Sequence, residues 1–233
     1  YGQVLVGLLP LFIDRRLGFS KKRHYKPLVD RLLKWIEHTM DEPDAGLWEF
    51  RNVKQVHTYT LLFHWAGCKA AIKIGTLMHD TELMNRAELL SKMAAERIEK
   101  CYNAEQGVYM QALGSHNLDA STLKLITMNY LDPTSAKAKQ HLLELEKLLK
   151  TEQGLFYRYV HQDDFGKPEA TFLVCAFWYI DALACVGRID DAIKTLNNIL
   201  PYANHLGIFS EDVGRDGSQW GNYPQTYSHV GLI

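Results

Sequence analysis

Asp44-Ala45-Gly46-Leu47-Trp48-Glu49-Phe50-Arg51 separates two helical patterns, and its Gly-apolar-aromatic centre comes back three times. Gly107-Val108-Tyr109, Gly154-Leu155-Phe156 and Gly207-Ile208-Phe209 repeat it at intervals of roughly fifty residues, the range of supersecondary repeats. Between these loops an apolar segment is followed by an amphipathic one. Segments apolar on most sides are buried, and one-faced helices pack outside them. The pattern therefore predicts helical hairpins, inner helix then outer helix, with the glycine loops gathered at one rim. That is an all-α architecture, and no strand-rich segment competes with it.

Working outward, Tyr1–Arg16 reads as a helix broken or kinked at Pro10, and Lys26–Met40 as an amphipathic one. Val53–Leu77 is long and mostly apolar, and Thr81–Tyr102 carries charge on one face. Leu118–Tyr130 reads as a short helix that Asp119 can cap, and Ser135–Lys150 is amphipathic. Ala170–Val186 is apolar nearly all round, Ile189–Ala203 is amphipathic, and a further helix starts near Pro224.

Composition narrows the function. A chain of 233 residues can bury one sizeable core. A formal net charge of −1 with scattered signs argues against nucleic acid or an acidic membrane surface as partner. No apolar run approaches the length of a membrane span. Cys68, Cys101, Cys175 and Cys185 show no metal-ligand spacing and lie in apolar helical patterns, which predicts buried free thiols and a reducing, cytoplasmic location. The apolar residues at both ends lead us to expect a piece of a longer polypeptide, with the rest of that polypeptide as its partner.

The candidate chemistry sits in the loops. Glu49 follows an aromatic directly and Glu211 follows one across Ser210, on loops rather than solvated helix faces. Apolar surroundings raise a carboxyl pKa because the charged form loses hydration. Two carboxylates facing one cavity are the minimum for breaking a glycosidic bond. The blander reading of Glu49 is a favourable charge at the start of the next helix. Trp48, Tyr109, Tyr157, Tyr159, Trp220, Tyr223 and Tyr227 offer flat faces that stack on sugars, or plug the core between helices. Arg51, Asn52, Gln55 and Arg158 offer donors to hydroxyl groups. Asp163, Asp164 and Glu169 could take a hydroxyl or a cation, though solvated loop acids are the simpler reading. His57 and His64 lie seven apart, on one helix face, but lack the remaining residues of a metal motif and read as satisfied core or rim histidines. No metal and no cofactor is implied.

Several of these stretches resemble glycoside hydrolase family 15. They are Gly46-Leu47-Trp48-Glu49, the block from Glu169 through Ala170-Thr171-Phe172-Leu173 to Trp178, Leu206-Gly207-Ile208-Phe209-Ser210-Glu211-Asp212, and the run from Gly221-Asn222-Tyr223-Pro224 to Ile233. The resemblance implies a six-hairpin (α/α) toroid, here an incomplete ring of about four hairpins, with 1–233 part of a single catalytic domain. It implies an inverting exo-glycosidase acting on an α-linked glucoside or α-glucan, with Glu49 as general acid and Glu211 as general base. By position Arg158 matches the arginine that holds the sugar in the cleaved subsite, and Tyr227 falls at an aromatic wall. Trp48, Arg51 and Glu169 complete the expected substrate contacts. Phe50 stands where fungal members carry a second acid, which weakens the case for starch-like specificity. A trehalase and a non-catalytic helical scaffold of the same fold stay open as alternatives.

Overall fold

Thr58–Met78 forms the longest helix, and its buried residues run all round it: Leu61, Leu62, His64, Ala66, Cys68, Ala71 and Ile74. The computed structural model describes the backbone of residues 1–233 and the side chains of all but residues 19–21. In chain order the first helices are α1 (Gly2–Ile13), α2 (Phe19–His24), α3 (Lys26–Thr39), α4 (Thr58–Met78) and α5 (Thr81–Lys100). With the loop residues up to Glu49 and from Val53 they make one of two compact units, Tyr1–Glu49 with Val53–Cys101.

In this unit α4 packs against both α1 and α5. Helix α5 buries Leu83, Ala87, Leu90, Ala94 and Ile98, the three- and four-residue spacing of a single stripe. Asp80 caps it by accepting from the Leu83 N–H at 3.0 Å, satisfying one of the orphan donors of the first turn. At the other end Arg97 grips Asp41 with two bonds of 2.9 Å, fixing the loop that follows α3. This is the expected inner–outer pair.

The second unit comprises Phe50–Asn52 and Tyr102–Ile233. It holds strands β1 (Tyr102–Asn103) and β2 (Val108–Tyr109), a 3-10 turn at Ala120–Leu123 continuing into α6 (Lys124–Thr127), and α7 (Ala136–Leu149). Strand β3 (Thr171–Phe172), α8 (Leu173–Cys185), α9 (Ile189–Ile199), β4 (Asp212–Val213), β5 (Gln219–Trp220) and α10 (Thr226–Leu232) follow. Strands β3, β4 and β5 pair antiparallel in that order, with Phe172 opposite Asp212 and Asp212 opposite Trp220. Helix α8 is buried on most sides, with Leu173, Cys175, Phe177, Tyr179 and Leu183 inside, and α9 packs on it.

The expected elements hold, with adjustments at their ends. Helix α4 starts at Thr58 rather than Val53, because Asp44 and Gln55 exchange backbone hydrogen bonds of 2.9 and 3.0 Å and hold the preceding residues extended. His57 consequently precedes the helix instead of sharing a face with His64. Residues 171–172 are strand rather than helix, and the expected helix over 118–130 shrinks to a 3-10 turn at 120–123 followed by α6, led by Asp119, which accepts from the Ser121 N–H at 2.7 Å. The strands, unexpected from periodicity, are two residues each and stitch loops. Cys68, Cys101 and Cys175 are buried, whereas Cys185 is exposed at the last turn of α8. All four repeat glycines adopt left-handed φ, at +68° for Gly46, +71° for Gly107, +90° for Gly154 and +76° for Gly207. A residue with a Cβ pays for that conformation, which explains why the repeat is written with glycine.

Candidate active site

Glu49 closes the first glycine loop. Gly46 turns the chain, its carbonyl accepts from the Glu49 N–H at 3.3 Å, and Glu49 itself has a φ of +56°. A non-glycine residue there carries about 1 kcal/mol or more of backbone cost and persists only where neighbours impose it. Glu49 borders a cavity of about 500 Å³ with Gln3, Asp44, Leu47, Tyr59 and His64. Burial drives the His64 pKa down to about 4, and its Nδ1 has no hydrogen-bond partner among the described residues. Trp48 is half-buried, and Glu49 is exposed rather than enclosed by apolar surface as its sequence neighbours suggested. The turn explains this: the left-handed backbone sends Glu49 outward while Leu47 and Trp48 stay in.

In the second unit, Glu211 is held far more tightly. Leu173 N–H donates to its carbonyl at 3.0 Å, and its own N–H donates to the Asn222 carbonyl at 3.0 Å. Glu211 Oε2 accepts from both the backbone N–H and the Nδ2 of Asn222, at 2.9 and 2.8 Å. A Cβ on Gly221 would lie 2.7 Å from that same Oε2, so glycine is required for the carboxylate to lie there. Glu211 Oε1 has no partner among the described residues, and neither Glu49 nor Glu211 joins an ion pair among them. Glu211 is half-buried.

Next to it, Asp212 has its pKa raised to about 6, chiefly by burial and further by Glu211, with Arg158 opposing. Arg158, Glu169, Phe165 and Asp212 line one cavity of about 330 Å³. The Arg158 guanidinium lies 5.6 Å from the centre of the Tyr159 ring and 6.0 Å from that of Phe172, within cation–π range of both. Glu169 is exposed at the mouth. Arg51, in the same unit, donates its backbone N–H to Asp164 at 2.6 Å and stacks over Phe165 at 4.9 Å.

The aromatic residues divide. Tyr109 and Tyr159 are core plugs, 0 and 2 % exposed, whereas Trp220 and Tyr227 are 62 and 65 % exposed and free to meet a ligand face. Tyr157 accepts from Arg215 at 3.1 Å. Phe50 is buried against Tyr159, ring centres 5.4 Å apart, so the position that bears an acid in fungal members is a packing residue here. Sequence reasoning missed Asn222 as the hydrogen-bond partner of Glu211. Asn222 lies in a stretch singled out for other reasons, but its clamp on Glu211 exists only once β4 and β5 pair.

Comparison with known proteins fits this layout. The chain superimposes on a bacterial glucoamylase complexed with acarbose with a TM-score of 0.80 at 18% identity, covering 97% of this chain and 38% of that one. The likeness shows the fold, an α/α toroid of which this chain carries part. The sequence model of glycosyl hydrolases family 15 matches residues 15–233, and the chain belongs to that family. A trehalase of Thermoplasma volcanium is 31% identical over 207 residues, 88% of this chain and 33% of the relative. A trehalase of Mycobacterium tuberculosis is 30% identical over 212 residues, 89% of this chain and 31% of the relative. The chain thus spans about a third of the length of these curated relatives.

Proposed function

We propose that this chain supplies the acid and the base of an inverting α-glucoside hydrolase, and that its substrate is trehalose. One observation carries the reading: Glu211 is oriented by Asn222 through Oε2, while among the described residues Oε1 has no partner and no cation pairs with the carboxylate. A carboxylate fixed at one oxygen and open at the other is what deprotonation of a water requires. A structural carboxylate would instead be spent in an ion pair, so this favours an enzyme over a non-catalytic scaffold.

Glu49 would protonate the departing glycosidic oxygen, and Glu211 would take a proton from a water attacking the opposite face of the sugar. Inversion needs room for that water, so the two carboxyl groups of the intact polypeptide should lie roughly 6.5–9.5 Å apart. Arg158, held over Tyr159 and Phe172, would bind hydroxyls of the cleaved sugar with Glu169, while Trp48, Arg51 and Tyr227 would contact the remainder. Trehalose is favoured over starch by the names of the relatives and by Phe50, whose burial against Tyr159 removes an acid from the leaving side.

The test is a substrate screen of the intact polypeptide with trehalose, maltose, isomaltose and dextran, with Glu49→Gln alongside. The expected result is turnover of trehalose well above the others, slowed by about 10²–10⁴-fold in Glu49→Gln. Higher turnover of maltose would move the substrate to the glucoamylase type. An unchanged rate in Glu49→Gln would remove Glu49 as the acid.

A further inference from the structure

We propose that His57 is the positioning residue of the general acid: its imidazole, acting through Asp44 and Gly46, fixes the turn that aims Glu49. The inference rests on the reading of Glu49 as the acid. It starts from a concentration of contacts on a single oxygen. Asp44 Oδ1 accepts from the Gly46 N–H at 2.5 Å and sits 2.9 Å from His57 Nδ1. Burial raises the Asp44 carboxyl, but hydrogen bonds from His57, Thr60 and Gly46 outweigh it and hold the pKa below the usual range. Asp44 is therefore an acceptor, and Nδ1 is the imidazole nitrogen that carries the donated proton.

The contact is steric as well. A Cβ built on Gly46 would lie 2.9 to 3.0 Å from His57 Nε2, Cδ2 and Cε1 alike, so the face of the ring, at its Nε2 end, covers the open side of Gly46. His57 is 3 % exposed. Its backbone precedes α4, with its carbonyl accepting from the Leu61 N–H at 3.0 Å, so the ring's place is set by the longest helix of the unit. The Asp44–Gln55 backbone pair brings the two ends of the loop together and delivers His57 to the turn.

What the ring holds in place is a costly conformation. Gly46 and Glu49 both lie in the left-handed region, at +68° and +56°, within four residues and joined by the Glu49 N–H to Gly46 carbonyl bond. Such a turn collapses to ordinary φ values unless something over-determines it. Asp44 pins the Gly46 N–H, His57 pins Asp44, and the ring blocks movement of the Gly46 Cα. Loss of the ring frees Gly46 and lets Glu49 swing, which for a proton donor that must lie within hydrogen-bond reach of the leaving oxygen costs rate rather than binding.

A role in mere stability makes a different prediction, because only loss of the acid depends on the leaving group. Trehalose needs its leaving oxygen protonated, whereas fluoride departs from α-D-glucosyl fluoride without a proton. In the intact polypeptide His57→Phe is expected to lower kcat on trehalose by about 10–100-fold with KM changed less than about twofold, and kcat on the fluoride by less than about threefold. His57→Asn, whose amide N–H can replace Nδ1, is expected to recover most of the trehalose rate. If His57→Phe fails to fold, His57→Gln, with its N–H placed one bond too far, is read on the same two substrates.

Equal losses on both substrates, or none, would overturn the role of His57. Glu49→Gln measured in parallel separates the two failures. If it shows the split and the His57 variants do not, the positioning role falls and the acid stands; if Glu49→Gln shows no split, the assignment of the acid falls first.

Discussion

Asn222 holds Glu211 from two sides, accepting the Glu211 N–H at its backbone carbonyl and donating its backbone N–H and its Nδ2 to the carboxylate Oε2 at 2.9 and 2.8 Å. Only one of those carboxylate bonds comes from the side chain. Asn222→Ala is therefore expected to lower kcat by about tenfold, the scale of one hydrogen bond to a charged group, with KM little changed. Gly221→Ala should cost more. Its φ is +76°, and the new Cβ would meet both Glu211 Oε2 and Cβ at 2.7 and 2.8 Å, displacing the carboxylate outright. Steady-state kinetics of the two variants should rank them in that order, and a Gly221→Ala enzyme of full activity would show that Glu211 need not lie where it does.

Asp212 gives a pH signature with a defined sign. Its pKa is raised to about 6, so between about pH 4 and 6 the folded chain binds more protons at this site than the unfolded one. Stability from this group is thus fully present below about pH 4 and is lost as pH rises through 6. Asp212→Asn cannot ionise, so its advantage over wild type should grow across that window, by at most about 3 kcal/mol. Urea denaturation of both forms at pH 4.5 and 6.5 measures the difference; a gap that shrinks on going to pH 6.5 would contradict the buried setting of this carboxyl.

His141 should show the opposite slope. It is fully buried between the second glycine loop and the 3-10 turn, with Nδ1 accepting from the Tyr109 N–H at 3.3 Å and Nε2 donating to the Thr122 carbonyl at 3.1 Å. Burial lowers its pKa to about 4, so its contribution is present above about pH 6.5 and is lost as pH falls through 4. His141→Leu leaves the Tyr109 N–H and the Thr122 carbonyl without this partner, a cost of about 1–3 kcal/mol for each buried group. The destabilisation should be largest at neutral pH and shrink toward pH 4. Equal destabilisation at both would mean that the imidazole is not kept neutral by the fold.

The sequence made some of this legible for simple physical reasons. The α3, α5, α7 and α9 patterns are strong because each buries one stripe, and the four glycines are legible because left-handed φ has few other tenants. The start of α4 was not, since Val53 to Val56 continue the apolar pattern while their backbone is held by the Asp44–Gln55 pair. The exposure of Glu49 was not legible for a related reason. An aromatic neighbour in sequence says nothing about the turn between, and at Glu49 that turn is left-handed and sends the carboxylate outward. Asn222 and His57 act on residues eleven and thirteen positions away through loop closure, which no local pattern encodes.

The most direct test of the acid and base roles is the first minute of trehalose hydrolysis by the intact polypeptide, followed by proton NMR. Both anomeric carbons of trehalose are α, and cleavage of one C1–O bond leaves the departing glucose unchanged. Inversion by a Glu211-activated water should give equal amounts of α- and β-glucose before mutarotation. Initial release of α-glucose alone would mean a covalent intermediate and would contradict the assignment of Glu211 as a general base.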